Sequence, residues 1–280
     1  MTRHLRTLPP ALLLSLAFVA CKQDPPPKPP DDGGAVTEPT GGDDGGPTEP
    51  TVPQEPDPPE IAQGRHEFLL GHYQQAIDVL TPVLADTKER EQIRASALAG
   101  SWLALAHAQI VFENGADPAQ HAADMAEKTD DPEVDAAAKL ARGALLVAEG
   151  DFAAAVQSLE AAVAADPDSP EAAVANVLLG EAYIGSAFGE SSNVENPEDL
   201  DKAKAAYNAG AAVAKAHEED KDILLGRIEE GLAAVADYQR EKDALCGHAF
   251  ASIDHYKAAG ASDDLVQGPT SLASKYKCQP

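Results

Sequence analysis

Basic residues are scarce in this 280-residue chain: 21 Lys and Arg stand against 47 Asp and Glu, a formal net charge of −26 at pH 7. So acidic a surface excludes the nucleic-acid-binding class, because phosphates require a basic face. It favours basic partners or cations, and beyond that it speaks only to solubility. No glycine-rich phosphate loop stands between a strand and a helix. The doublets Gly33-Gly34, Gly41-Gly42 and Gly45-Gly46 lie in a proline-rich stretch instead. Nor is there a G-x-S-x-G nucleophile elbow: in GSAFG (Gly185–Gly189) the serine follows glycine directly, with no strand before it. There are eight histidines, and none has ligand spacing. His248 and His255 sit about 10 Å apart along a helix, too far to share one zinc. His121 and Asp124 lack a third ligand, and His66 and His72 form no HExxH pair. The composition therefore points away from an enzyme, and no cofactor is expected.

What is present begins at the N-terminus. Arg3, His4 and Arg6 precede an apolar stretch, Ala11–Ala20, which ends at Cys21. A basic start, an apolar run about half the length that spans a bilayer, and a small residue before the break make a secretory signal. Pro9-Pro10 and Pro25-Pro26-Pro27 argue against a short buried helix there. Phe18-Val19-Ala20-Cys21 resembles the lipobox of bacterial lipoproteins, with Phe18 where an aliphatic residue is usual. The resemblance implies a signal peptide over residues 1–20, cleavage before Cys21, and acylation of that cysteine into a membrane anchor. Two or more acyl chains anchor stably where one does not. Lys22, in place of Asp, points by the family's sorting rule to the outer membrane, with the folded body exposed to the periplasm or the cell surface.

Residues 21–60 are expected to form a disordered acidic linker. From Lys22 to Glu60 there are 12 prolines, 6 glycines and three aliphatic residues, Ala35, Val36 and Val52. So little apolar surface cannot offset the entropy of ordering a chain. Its reach lies between about 35 Å as a coil and about 120 Å as polyproline II. GGDDGG lacks the spaced oxygen ligands of a calcium loop. The segment reads as a tether.

Residues 61–280 are rich in Ala and Leu and are punctuated by helix starts. Pro59-Glu60, Asp131-Pro132-Glu133, Ser169-Pro170-Glu171 and Asn196-Pro197-Glu198 each offer proline at the first helical position and an acid suited to the helix dipole. Asp117-Pro118 is a fifth start. Internal periodicity follows. Gly64, Gly71, Tyr73, Ala76, Leu80 and Val83 share one frame with Gly143, Gly150, Phe152, Ala155, Leu159 and Ala162. Gly180, Tyr183, Ala203, Tyr207 and Gly210 repeat it. A small residue lets one helix approach its partner, a glycine turns the chain, an aromatic fills the hinge, and alanine marks the closest helix contact. These positions resemble the tetratricopeptide repeat, a helix–turn–helix unit. The resemblance implies an all-α solenoid of four to five repeats with a C-terminal cap at 262–276.

The repeats are longer than the family's, the second slips in register around Ala122 and Ala126, and the fourth carries an insertion at Phe188–Asp201. A helix from about Asp222 to Asp243 and the segment Cys246–Ala259 form a degenerate fifth. With Cys21 acylated, Cys246 and Cys278 remain as an even pair. A disulfide closing the cap is the favoured reading, and two buried free thiols the other.

The resemblance further implies a concave groove holding a peptide or helix of another protein. Its candidate lining is Arg65 and Phe68, then Trp102, Gln109 and Phe112, then Leu140, Ala144 and Val147, then Val177, Glu181 and Ile184. The function expected is a membrane-anchored interaction scaffold in the cell envelope. A narrower version is an outer-membrane assembly factor for a secretin or a β-barrel protein. The alternative from another class is a metal-dependent hydrolase built from the insertion and the His-bearing C-terminal segment.

Overall fold

A computed structural model describes residues 56–188 and 193–279. The signal peptide, Cys21, nearly all of the linker and residues 189–192 of the insertion lie outside the described residues. Among the described residues every regular element is helical. Eleven α-helices follow one another: α1 (Pro59–Leu69), α2 (Tyr73–Glu89), α3 (Ile93–Ile110), α4 (Ala116–Ala126), α5 (Pro132–Glu149), α6 (Phe152–Ala165), α7 (Pro170–Phe188), α8 (Pro197–Ala214), α9 (Lys221–Gln239), α10 (Lys242–Ala259) and α11 (Asp263–Lys275). A 3-10 turn, Phe112–Gly115, joins α3 to α4. The chain is all-α.

Local chemistry explains the boundaries. Proline opens α1, α5, α7 and α8, where a missing N–H costs nothing. The Asp131 carboxylate accepts from the Glu133 N–H at 3.0 Å, and that of Asp151 from Ala154 at 3.1 Å, satisfying donors that the first turns of α5 and α6 leave open. Gly71, Gly150 and Gly260 end α1, α5 and α10 at φ of 83°, 81° and 71°, in the left-handed region that glycine enters freely. Arg240 takes the same conformation after α9 without being glycine.

Each helix packs on the next in the chain, and the odd-numbered helices α1, α3, α5, α7 and α9 also pack on one another in order. One contact recurs along the chain. A methyl group on Gly64 of α1 would overlap the Leu80 side chain of α2, and Gly143 stands in the same relation to Leu159. Gly180 does so to the Tyr207 ring, and Gly226 to the Tyr256 ring. In the second pair Gly100 of α3 lies against the Pro118 carbonyl and Ala122 of α4. The small partners Ala76, Ala155, Ala203 and Ala249 are fully buried at these crossings. Close approach of helix backbones, allowed by glycine and alanine, thus sets the spacing of the pairs.

A single hydrophobic core runs from Ile61 to Leu265. A smaller cluster of Ala233, Ala249 and Ala273 lies apart, backed by Phe250, Leu272 and Cys278. The Cys246–Cys278 disulfide pins the tail after α11 to α10 there, with the α-carbons 5.5 Å apart. Of the two readings of these cysteines, the bonded pair is the one present. Two boundaries differ from expectation. Helix α8 begins at Pro197, so the last residues of the expected insertion are already helical. Helix α9 stops at Gln239, four residues short, where Arg240 turns the chain.

Candidate functional site

The residues expected to line an open groove are mostly inside. Phe68 and Trp102 are each 2% exposed, Leu140 is 0%, Ile184 3%, and Ala144, Val147 and Val177 are buried as well. The rings of Phe68 and Trp102 stand 5.7 Å apart and pack on each other. The reason is the packing of odd-numbered helices on one another: side chains repeating on that face are consumed by the next helix. Phe112 has left α3 for the 3-10 turn and is half-buried there, as is Gln109 in the last turn of α3. An apolar groove lined by these residues is therefore corrected to a filled interior. Two of the candidates, Arg65 and Glu181, are charged, and they lead to what the interior holds.

Arg65 does not face a groove but pairs with Asp220 at 3.3 Å, alongside His66 at 3.2 Å. Asp220 directly precedes α9, so this contact joins the first helix to the ninth. Arg227, on α9, reinforces it. Its guanidinium donates to the Phe68 carbonyl at 3.1 Å, to the Leu69 carbonyl at 3.0 and 3.2 Å, and to the Tyr73 hydroxyl at 3.3 Å. It also lies over the Phe68 ring. The open carbonyls at the end of α1 thereby gain a cationic cap. Beyond them, the Ser262 N–H donates to the Leu70 carbonyl at 2.9 Å, so the α10–α11 turn also meets the end of α1.

Around Arg227 lies a cluster of ionisable groups. Glu181 of α7 and Glu230 of α9 both lie deep in the fold, and each keeps part of its surface open to water. Burial pushes the Glu181 carboxyl up to about 7, Arg227 pulling it down and Glu230 up. Glu230 is likewise raised by burial to about 7, against the opposing Tyr256 hydrogen bond and Arg227. The Tyr256 hydroxyl donates to Glu230 Oε2 at 2.6 Å. Burial opposes the charge of Arg227, yet Tyr73, Tyr256 and Glu181 hold it protonated above the usual arginine range. The Tyr207 hydroxyl is held protonated by burial and then by Glu181 and Glu230. Its ring passes between Gly180 and Gly231, the chain neighbours of those two acids. Two acids, one arginine and three tyrosines thus meet where α7, α8, α9, α10 and the start of α2 converge.

Sequence reasoning placed only Glu181 in this region. Glu230 and Arg227 were hidden in a helix assigned to a degenerate repeat. The one available signal was Gly231 beside Glu230, matching Gly180 beside Glu181. Elsewhere, His248 pairs with Glu229 at 2.6 Å and His255 with Asp222 at 3.0 Å, each across α9 and α10. Among the described residues no three His, Cys, Asp or Glu are grouped to hold a metal. None of the helices is long and apolar enough to cross a membrane among those residues. Compared with protein-family models, with curated proteins and with solved structures, the chain matches none.

Proposed function

We propose that this chain is a lipid-anchored scaffold of the cell envelope, whose helices form a tetratricopeptide-like stack that recruits a protein partner. The recurring insertion of Leu80, Leu159, Tyr207 and Tyr256 against a glycine of the preceding odd-numbered helix supports the repeat reading. The Cys246–Cys278 bond suits an oxidising compartment, and with it the export implied by the lipobox. The observation that carries recruitment is the interior polar cluster. Glu181 and Glu230 retain water-reached surface in a deep site where, among the described residues, Arg227 is the basic group acting on both. A stack held together for its own sake would bury apolar side chains there instead.

The test is crosslinking in cells with the full-length acylated protein, followed by membrane solubilisation and mass spectrometry of what is captured. A single dominant partner, lost in Glu181→Lys and reduced in a Cys21→Ala control, supports the reading. A secretin or β-barrel subunit as that partner narrows it to assembly. Diffuse capture that Glu181→Lys leaves unchanged rejects it in favour of a spacer.

A further inference from the structure

We propose that Glu171 works as a pH-sensitive latch on the contact between α1 and α9, competing with Asp220 for the guanidinium of Arg65. The device concerns how the body stays closed, apart from which partner it recruits.

Two buried polar atoms go unanswered at this place in the fold. Glu171, in the first turn of α7, is 1% exposed, and its Oε2 has no hydrogen-bond partner among the described residues. Arg65 of α1 likewise buries an Nε–H that meets no acceptor among them. Buried groups of this kind are ordinarily paired, so each asks for a reason. Here one is an acid and the other a base, and Arg65 is the basic group that acts on Glu171.

Asp220 accounts for their separation. Its buried carboxylate takes the Arg65 guanidinium at 3.3 Å and His66 at 3.2 Å. It stands at the N-cap position of α9, where an aspartate ordinarily accepts from the first-turn N–H groups, yet its side chain caps none of them. Helix α9 thus forgoes a cap for a tie to α1. One guanidinium is left to serve two buried acids. With Glu171 protonated the charges balance, Arg65 against Asp220. With Glu171 ionised, two carboxylates face one guanidinium, and Glu133 of α5 and Asp166 ahead of α7 add repulsion. Arg94, the base beside Glu133, is already held by Asp57, Asp131 and Glu133. The unspent Nε–H of Arg65 then answers Glu171, and turning toward it draws the guanidinium off Asp220.

The direction of the switch follows. Burial pushes the Glu171 carboxyl up to about 6, helped by Glu133 and Asp166 and opposed by its own backbone N–H and by Arg65. A raised carboxyl supports the closed form fully below the ordinary 4.5, and that support is lost as pH climbs through about 6. The latch is shut in acid and slack at neutral pH. Arg227 keeps its hold on the Phe68 and Leu69 carbonyls, so slackening loosens α1 without detaching its end.

The test is hydrogen exchange read by mass spectrometry on the full-length acylated protein in detergent micelles, from pH 4.5 to 8. Intrinsic exchange rates are corrected for, and α5 and α6 serve as internal reference. Protection of α1 is expected to fall between pH 5 and 7, beyond any change in α5 and α6. A shift from 4.5 to about 6 sets the ceiling of that fall at about thirtyfold. Glu171→Gln, similar in shape and uncharged, keeps the latch shut and should abolish the step. Arg65→Gln removes the contested base and should leave α1 weakly protected at every pH, again without a step. A step that survives in either variant, or one of equal size in α5 and α6, overturns the proposal. So does α1 protection that does not change with pH.

Discussion

Gly150 and Gly180 each stand where any side chain would be costly, but for different reasons. Gly150 has open space around its α-carbon and a φ of 81°, so its requirement is conformational. Gly180 has ordinary helical backbone and the Tyr207 ring where a β-carbon would go, so its requirement is steric. Gly150→Ala should therefore cost about 1–2 kcal/mol, the penalty of a left-handed L-residue. Gly180→Ala should cost about 1–3 kcal/mol from overpacking, and pairing it with Tyr207→Leu should recover part of that loss. Urea unfolding of the two variants and the double variant checks both numbers. If Gly180→Ala were no worse alone than with Tyr207→Leu, the ring would not be what the glycine accommodates. These glycines were legible in the sequence because a turn and a close helix crossing each leave a missing side chain at a fixed offset. Arg240 was not, since nothing in its side chain announces a left-handed turn.

Among the elements, α11 depends most on a single link. Its contact with the rest of the chain runs through the small alanine cluster, and only Leu265 and the partly buried Val266 of its described residues reach the main core. The Cys246–Cys278 bridge, spanning 32 residues, supplies the constraint that so little apolar surface cannot. Its loss through Cys246→Ser with Cys278→Ser should lower stability by about 3–4 kcal/mol on the chain-entropy account. Hydrogen exchange should show α11 opening first. Uniform loss of protection across all helices would contradict this. At this scale helix identity was readable from proline, acid and glycine punctuation. The burial of Phe68, Trp102, Leu140, Val177 and Ile184 was not, because helical periodicity marks an apolar face without saying whether another helix or a ligand covers it.

For the whole molecule, the interior acids give a pH dependence with a definite sign. Glu181 and Glu230 titrate at about 7 in the fold against 4.5 as the unperturbed value. A raised carboxyl binds its proton more tightly folded than unfolded. Its contribution is fully present below about 4.5 and is lost as pH climbs through about 7. The groups facing the pair are Arg227 of α9, Tyr256 from α10 and Tyr207 from α8, with Tyr73 from α2 on the far side of Arg227. Between pH 5 and 7.5 the melting temperature should fall less steeply in Glu181→Gln/Glu230→Gln than in the native chain. Parallel curves would show that other carboxylates govern this range. The sequence reading reached only Glu181 of this cluster, since its members come from five helices far apart in the chain and meet only after folding.

The hydrogen bonds from Arg227 and Ser262 to the end of α1 have a mechanical consequence. In a linear stack each pair touches only its neighbours, so a pull at one end peels units away one by one. Here a load applied at Pro59 crosses directly to α9 and to the α10–α11 turn, about 150 to 200 residues along the chain. The first pair cannot yield without breaking contacts to the last ones. Tension entering from the N-terminal side is therefore resisted by the body as a whole, up to one common breaking force.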